Sequence, residues 1–386
     1  MVDEKESKRA IRIFGLASFL NDMGSDMIYP IWPLFVTNVL KANMSTLGFI
    51  DGLGEAIVSL SQIVSGYISD RIRKRKIFIW PGYLMSSISR VGYAISSIWQ
   101  HLIPFKILDR AGKIRGAPRD AEIADLSTDE NRGKNFGFLR TMDNLGAVCG
   151  TLLCLLLFNK LGYKNLFLIA AIPSFIGAII ILMFIKERRA GITKVFRSLT
   201  LKDFNKNLIL FLILSTIFAL GAFSYSFLLI FAKELGFQIK FIPVLYLIFS
   251  VVATLTALPF GGLSDKLGRK PILILSYIFW ILLCICFAFI KSYWIIFLVF
   301  VLYGLHKGSL EPVQRTLVSE LSPEKYRASI LGTYQMVIGL SALPASFIAG
   351  MLWDKISMSA PFMFSLILTV LAIIMLFFVK EKVQSL

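Results

Sequence analysis

The feature that most constrains this chain is its series of long apolar runs. Residues 208–231, 272–290 and 362–379 each extend over about 18 or more residues with almost no charge, enough to cross a bilayer core of about 30 Å as a helix. Only helices and closed barrels satisfy their backbone polar groups within lipid. Because these runs do not alternate between apolar and polar residues, they exclude a barrel. The sequence therefore predicts an all-α membrane protein.

Twelve such segments fall into two sets of six. The first set lies near residues 12–38, 47–69, 77–99, 102–125, 135–158 and 164–185, and the second near 208–234, 241–263, 271–290, 293–319, 328–352 and 360–380. A polar, basic stretch at 186–207 separates them. We therefore predict twelve transmembrane helices in two pseudosymmetric six-helix bundles, 1–185 and 208–386, joined by a central cytoplasmic loop.

The formal net charge of +17 does not indicate a nucleic-acid partner, because the Lys and Arg residues lie in short loops between apolar runs. Their excess on one side predicts a cell-membrane protein with both termini in the cytoplasm. No phosphate-binding loop occurs in the sequence, and His101 and His306 lack metal-ligand spacing. We expect no enzymatic activity, no cofactor and no metal; the expected partners are a small-molecule substrate, protons and membrane lipid, and the expected state is a monomer.

An internal repeat gives the strongest indication of family. Segment 66–76 reads GYISDRIRKRK, and segment 261–271, 195 residues later, reads GGLSDKLGRKP. Both follow the second span of their set, and duplicated six-span bundles are one way to build a transporter.

The repeated residues have distinct expected roles in a gating loop. Glycines allow a neighbouring helix to approach closely, and the aspartates are suited to cap a helix N-terminus or pair with a base. The gating-loop set consists of Gly66, Asp70, Arg71, Gly261, Asp265 and Arg269. At these residues the chain resembles the major facilitator superfamily, although Arg73 stands where that family usually has glycine.

Charges inside the predicted spans form a second set of candidates, because each costs at least about 2.5 kcal/mol to insert. Asp22 and Asp26 share one helix face, as do Asp51 and Glu55. We predict that Asp26 is the principal proton-linked acid, with Asp22 its competitor and Glu55 a further candidate.

The bases of span 4 complete this candidate site. Arg110 and Lys113 are one turn apart, and we predict that one of them tunes Asp26. Four other charged residues of spans 4 and 5 are expected to tie helices together, namely Asp120, Glu122, Arg140 and Asp143.

The run Asp-Met-Ile-Tyr-Pro at 26–30 resembles the first span of multidrug proton antiporters, and Arg110 matches their span-4 base. That resemblance implies proton-coupled efflux of small organic molecules. Thr151 departs from it by replacing a proline that usually follows the glycine pair Gly146 and Gly150.

Two alternatives to efflux remain open at this point. One is uptake of an organic anion by proton symport through Lys113, Arg115 and Arg119, and the other is a receptor or scaffold that no longer transports. Phe223 and Tyr225 in span 7 are the candidate cavity-lining residues, since an aromatic and hydroxyl wall suits a partly apolar ligand.

Overall fold

The computed structural model describes residues 4–128, 131–187, 205–289, 294–323 and 326–381. Within these ranges the regular structure is helical, with no strand, as the apolar runs predict. Most of the predicted loop at 186–207 lies outside the described residues.

The first half of the chain forms spans 1 to 6. Span 1 comprises Glu4–Asp26 and the short turns Trp32–Leu34 and Phe35–Val39, span 2 is Met44–Ile72, span 3 is Lys76–Ile95, span 4 comprises Leu102–Ala111 and Gly116–Asp125, and spans 5 and 6 lie in Arg132–Phe184. The last helix contains 53 residues, far more than one bilayer crossing needs. Gly162, with φ 68° and ψ −175°, divides it into two, because such a backbone conformation is open mainly to glycine.

The second half forms spans 7 to 12. Span 7 comprises Lys206–Gly221 and Ser226–Glu234, span 8 is Ile242–Leu267, span 9 is Arg269–Phe289, span 10 is Ile295–Leu321, span 11 is Arg327–Lys355, and span 12 is Ala360–Phe377.

Eight helices among the described residues are long and apolar enough to cross a membrane by length and composition. Spans 5 and 6 count as one of these eight, since they lie in the single stretch Arg132–Phe184. Spans 1, 3 and 4 fall short because they are broken or carry charge inside them. Counting these segments gives the twelve spans that the sequence predicts.

The chain divides into two compact units. The first contains Met1–Lys41 and Ile57–Phe196, and the second contains Ala42–Ala56 and Arg197–Leu386. The helix of span 2 is continuous from Met44 to Ile72. Its residues up to Ala56 nevertheless belong to the second unit, and the rest belong to the first.

An apolar core organises one end of the first unit. Fully buried residues of spans 1, 3 and 5, including Phe14, Ile79 and Leu139, pack together there. Gly146 and Gly150 of span 5 lie against the backbone of Phe19 and Met23, where a Cβ atom would collide with carbonyl oxygens. Their expected role in close helix packing is confirmed.

Candidate functional site

The break in span 1 positions the first candidate acid. The helix ends at Asp26, and residues 27–31 form turns before Trp32. Pro30 has no N–H to donate to the carbonyl of Asp26, so the helix opens there, as the sequence predicts. Asp26 itself is 8% exposed. A titratable carboxylate thus sits buried at a point where the backbone changes direction.

Arg110 lies beside the turn that follows Asp26. Its Nη1 is 3.4 Å from the Tyr29 hydroxyl, and its guanidinium carbon lies 5.3 Å from the Tyr29 ring centre. Its Nε is also 3.7 Å from Asp109 Oδ2. Arg110 therefore contacts the turn through Tyr29, three residues beyond the predicted proton-linked acid.

Asp22 and Lys113 share a different neighbourhood. Lys113 lies in the 3₁₀ turn Gly112–Arg115 that interrupts span 4, and Asp22 is the carboxylate that acts most strongly on its ammonium group. Asp22 also accepts a 2.9 Å hydrogen bond from Asn21 Nδ2. Asp22 and Lys113 are therefore within electrostatic range of each other.

Arg90 is a structural tie among spans 1, 3 and 6. It is 2% exposed and donates to the carbonyl oxygens of Ala170, at 2.8 Å, and Asn21, at 3.1 Å. It also donates to the hydroxyls of Ser25, at 2.8 Å, and Ser174. These neutral oxygens, drawn from two other helices, compensate the buried guanidinium.

A second network joins spans 1, 4 and 5 through the residues expected to have tying roles. Arg119 donates to Ser18 Oγ at 2.6 Å and lies 3.0 Å from Asp120. Arg140 lies 3.3 Å from Asp143 and 3.6 Å from Asp120. The tying role predicted for Asp120, Arg140 and Asp143 is confirmed.

Sequence reasoning missed one buried base. Lys106 is 3% exposed, and its ammonium lies 4.1 Å from the ring centre of Trp32, a cation–π contact. The available signal was its spacing, since Lys106 precedes Arg110 by one helical turn and so belongs to the same face of span 4.

Glu55 belongs to a different structural unit from Asp22 and Asp26. It is exposed and belongs to the second unit, where it acts electrostatically on Tyr303 and Lys307 of span 10. The structure therefore does not place the three predicted proton-linked acids in one unit.

The gating loops form a matching clamp in each unit. Arg75 Nη1 lies 2.6 Å from Asp125 Oδ2 in the first unit, and Arg269 Nη2 lies 2.9 Å from Glu320 Oε1 in the second. Arg269 also pairs with Asp265 one turn earlier, as the sequence predicts for that aspartate.

The helix N-termini behind these loops are capped by residues that the sequence analysis did not select. Glu187 accepts hydrogen bonds from the backbone N–H groups of Arg75, Lys76 and Ile77 at 2.8 to 3.2 Å. Glu381 accepts from the N–H groups of Arg269 and Lys270. The signal was present, because a Lys-Glu pair follows span 6 and span 12 alike.

The other members of the predicted gating-loop set have different surroundings. Asp70 is half-buried and interacts electrostatically with Arg75, while Glu187 occupies the capping position predicted for it. Arg71 is exposed at the end of the span-2 helix. Gly66 lies close to Ala117, but nothing described lies within 4 Å of a Cβ built on Gly261, so its expected close helix contact is wrong.

The two predicted cavity-lining residues have different environments. Phe223 is 6% exposed and packs within 6 Å of the rings of Phe227, Trp280 and Phe362. It is a core residue of the second unit, and the lining prediction is corrected for it. Tyr225 is partly exposed and contacts Tyr246, with ring centres 5.4 Å apart.

Comparison with known proteins identifies the family. A family model described as Major Facilitator Superfamily matches residues 14–255 and 209–386. The chain belongs to this superfamily. It is accordingly a multi-pass membrane transporter rather than an enzyme, with the twelve-helix, two-bundle fold that the sequence predicts.

Individual relatives agree with this assignment. An uncharacterized MFS-type transporter of Methanocaldococcus jannaschii is 38% identical over 98% of this chain and 96% of its own length. The multidrug resistance protein MdtG of Salmonella schwarzengrund is 28% identical over 81% of this chain and 80% of its own length.

Solved structures share the fold at low sequence identity. The nucleoside transporter NupG has a TM-score of 0.76 at 17% identity, covering 95% of this chain and 97% of that one. A bacterial homologue of the lysosomal transporter Spinster has a TM-score of 0.75 at 13% identity, covering 96% of both chains.

Proposed function

We propose that this transporter exports small organic molecules across the cell membrane in exchange for protons, by alternating access. In this scheme Asp26 carries the coupling proton, and both termini lie in the cytoplasm, as the Lys and Arg distribution favours. One charge crossing about 100 mV supplies about 2.3 kcal/mol, which corresponds to a concentration ratio of about forty.

The observation that carries the proposal is the placement of Asp26 at the break in span 1. Protonation removes a buried charge at the point where the backbone changes direction, next to the turn held by Arg110 and Tyr29. A single proton thereby biases two arrangements of the turn, the kind of local charge change that drives a conformational switch.

The contacts of the span-4 bases weigh against anion uptake. Arg115 donates to the carbonyls of Gly82 and Gly112 and to Ser86, and Arg119 is engaged by Ser18 and Asp120. Two of the three bases required by that alternative are therefore occupied in holding helices together.

The names of relatives support export without fixing a substrate. The relative MdtG is named a multidrug resistance protein. Proteins of similar fold include a nucleoside transporter and an organic anion transporter. The substrate class must therefore be found by direct assay.

The test uses the purified chain in proteoliposomes with an imposed proton gradient and a panel of lipophilic cations, neutral amphiphiles and organic anions. We expect the wild type to accumulate a cationic or neutral compound, and Asp26→Asn to abolish accumulation while keeping exchange down a substrate gradient. Asp22→Asn is the matched control, one turn away on the same helix, and should retain coupling.

Three results contradict the proposal in different ways. Accumulation of organic anions alone would establish the uptake alternative. Loss of coupling in Asp22→Asn but not in Asp26→Asn would transfer the role to Asp22. Full coupling in both variants would place the proton site outside span 1.

A further inference from the structure

Span 7 is interrupted in the second unit without a proline. Its helices are Lys206–Gly221 and Ser226–Glu234, and residues 222–225 between them leave the helical pattern. Backbone polar groups released in this way must find other partners within a membrane. Serine hydroxyls provide them, since Ser226 N–H donates to Ser224 Oγ at 3.2 Å and Ser224 N–H to Ser346 Oγ at 3.3 Å.

A buried carboxylate from span 2 holds this break. Asp51, 7% exposed, accepts hydrogen bonds at Oδ2 from Ser224 Oγ, at 2.8 Å, and Ser226 Oγ, at 2.5 Å. Ser224 Oγ therefore accepts a hydrogen bond from the first N–H of the second helix and donates its own hydroxyl hydrogen to Asp51. The carboxylate fixes both hydroxyls and, through Ser224, the backbone of the break.

The segment Ala42–Ala56, which contains Asp51, packs closely against span 11. A Cβ on Gly48 would collide with the carbonyl oxygen of Ser346, and one on Gly52 would lie 2.6 Å from that of Ala342. At the start of the span-2 helix, Asp354 accepts from the N–H groups of Met44, at 3.1 Å, and Ser45, at 2.8 Å. The segment is thus fastened at two points, by Asp354 at its end and by Asp51 in its middle.

The hydrogen bonds to Asp51 are those of an ionised carboxylate that accepts two donors, and not those of a metal site. Two hydroxyls within 2.8 Å of one carboxylate oxygen direct their hydrogens at it. A bound cation would instead face the lone pairs of those hydroxyl oxygens. An ionised carboxylate accepts both donors, whereas a protonated one carries a donor of its own and has lost the charge that strengthens them.

We propose that Asp51 is a second proton-binding site, whose ionised form fastens the segment Ala42–Ala56 to the break in span 7 and whose protonated form releases it. This role goes beyond the proton-linked export assigned to Asp26 and does not depend on it. The step is a proton transfer: an O–H bond of hydronium breaks, an Oδ2–H bond forms and water is left. The Ser224 and Ser226 hydroxyls then lose their shared ionised acceptor.

The effects of other titratable groups near Asp51 must be separated from its own in any test. Glu55 lies one turn further along the same helix, and span 10 contributes Tyr303, Lys307 and Glu311. The break contributes Tyr225, span 8 Tyr246, and span 11 Asp354. Glu55 is the natural control, because it is the carboxylate nearest in sequence and shares the helix.

The experiment measures amide hydrogen exchange by mass spectrometry on the full chain in nanodiscs, without substrate. Rates are compared at about pH 5 and about pH 8, on either side of the range in which a perturbed carboxyl titrates, and are corrected with an unstructured reference peptide. For wild type we expect peptides covering 42–56 and 222–234 to exchange about tenfold faster at the lower pH, equivalent to about 1.4 kcal/mol of lost protection.

Variants assign the response to the carboxylate. Asp51→Asn should exchange at the faster rate at both pH values, while Glu55→Gln should keep the wild-type response. If Asp51→Asn does not fold, Ser226→Ala serves instead, since it keeps the acid but removes one donor. It should raise the rate at the higher pH and narrow the difference between the two conditions.

Several outcomes would overturn the inference. A wild type without pH dependence would make Asp51 a fixed structural tie, and loss of the response in Glu55→Gln would assign it to Glu55. A rate that follows sodium concentration at constant pH would indicate a cation site instead. Because no transport is measured, failure of Asp26→Asn to uncouple transport would leave this result unaffected.

Discussion

The two units share a helical plan but differ in what holds their interiors together. In the first unit, buried arginines such as Arg90 and Arg115 donate to carbonyl and hydroxyl oxygens of neighbouring helices. In the second, rings pack on rings, with Phe231 and Phe287 centred 4.4 Å apart. The same fold therefore tolerates an interior crossed by buried arginines and one dominated by aromatic rings.

Two buried contacts show how interior polar groups of the second unit are satisfied. His306 is 2% exposed, its Nδ1 lies 3.0 Å from Ser276 Oγ, and its ring contacts Trp280 at 5.1 Å between centres. Ser365 accepts a 2.7 Å hydrogen bond from the Trp280 indole. Each of these hydrogen bonds joins two helices, whereas Arg90 joins three.

The largest expected effect comes from emptying the aromatic core. Phe231 is fully buried between Phe287, Trp353 and Phe362. Phe231→Ala should destabilise the chain by about 3–5 kcal/mol through lost contacts and the cavity left behind, equally at all moderate pH values. Thermal unfolding in detergent measures it, with the 66% exposed Phe289 as control. If Phe231→Ala lost no more stability than Phe289→Ala, aromatic packing would not be what stabilises this unit.

The corresponding change in the first unit is Arg90→Leu. It leaves the carbonyls of Ala170 and Asn21 and two serine hydroxyls without their donor, and we expect a loss of about 2–3 kcal/mol. Arg90→Lys should recover part of it, because one ammonium reaches fewer of the four oxygens.

The same unfolding assay decides between two views of Arg90. A buried charge replaced by a well-packed apolar side chain is sometimes neutral or stabilising. If Arg90→Leu stabilised the chain, Arg90 would be present for function and not for stability. The two units would then not differ in the kind of contact that stabilises them.

These contrasts also show which features a single sequence predicts. Hydropathy fixes the spans because bilayer thickness sets their length, and the repeat locates both gating loops. Pro30 marks the break in span 1 because a missing N–H has a local consequence. Each of these features depends on residues close together in the chain.

Features that depend on register or on distant packing could not be predicted in this way. At the 195-residue spacing Arg269 matches Lys74, yet Arg75 makes the corresponding ion pair, because the first loop is longer before its next helix begins. Phe223 looked like a lining residue since aromatic composition does not reveal which side of a broken helix is buried. The hydrogen bonds of Asp51 join residues more than 170 positions apart.

The smallest predicted effect concerns a position where the second gating loop has glycine and the first does not. Arg73 has φ 56°, and Gly268, at the matching place, has φ 94°. A left-handed conformation costs an L-residue roughly 1–2 kcal/mol, while glycine loses about 0.5–1 kcal/mol through its greater freedom when unfolded. Arg73→Gly should therefore stabilise the first loop by about 0.5–1 kcal/mol, seen as a small rise in unfolding temperature.

The matched variant Gly268→Ala should do the opposite, since its Cβ would also lie 3.0 Å from Glu381. If Arg73→Gly were destabilising, the exposed guanidinium would contribute more to this loop, through anionic lipid at the membrane edge, than the strain of its backbone removes.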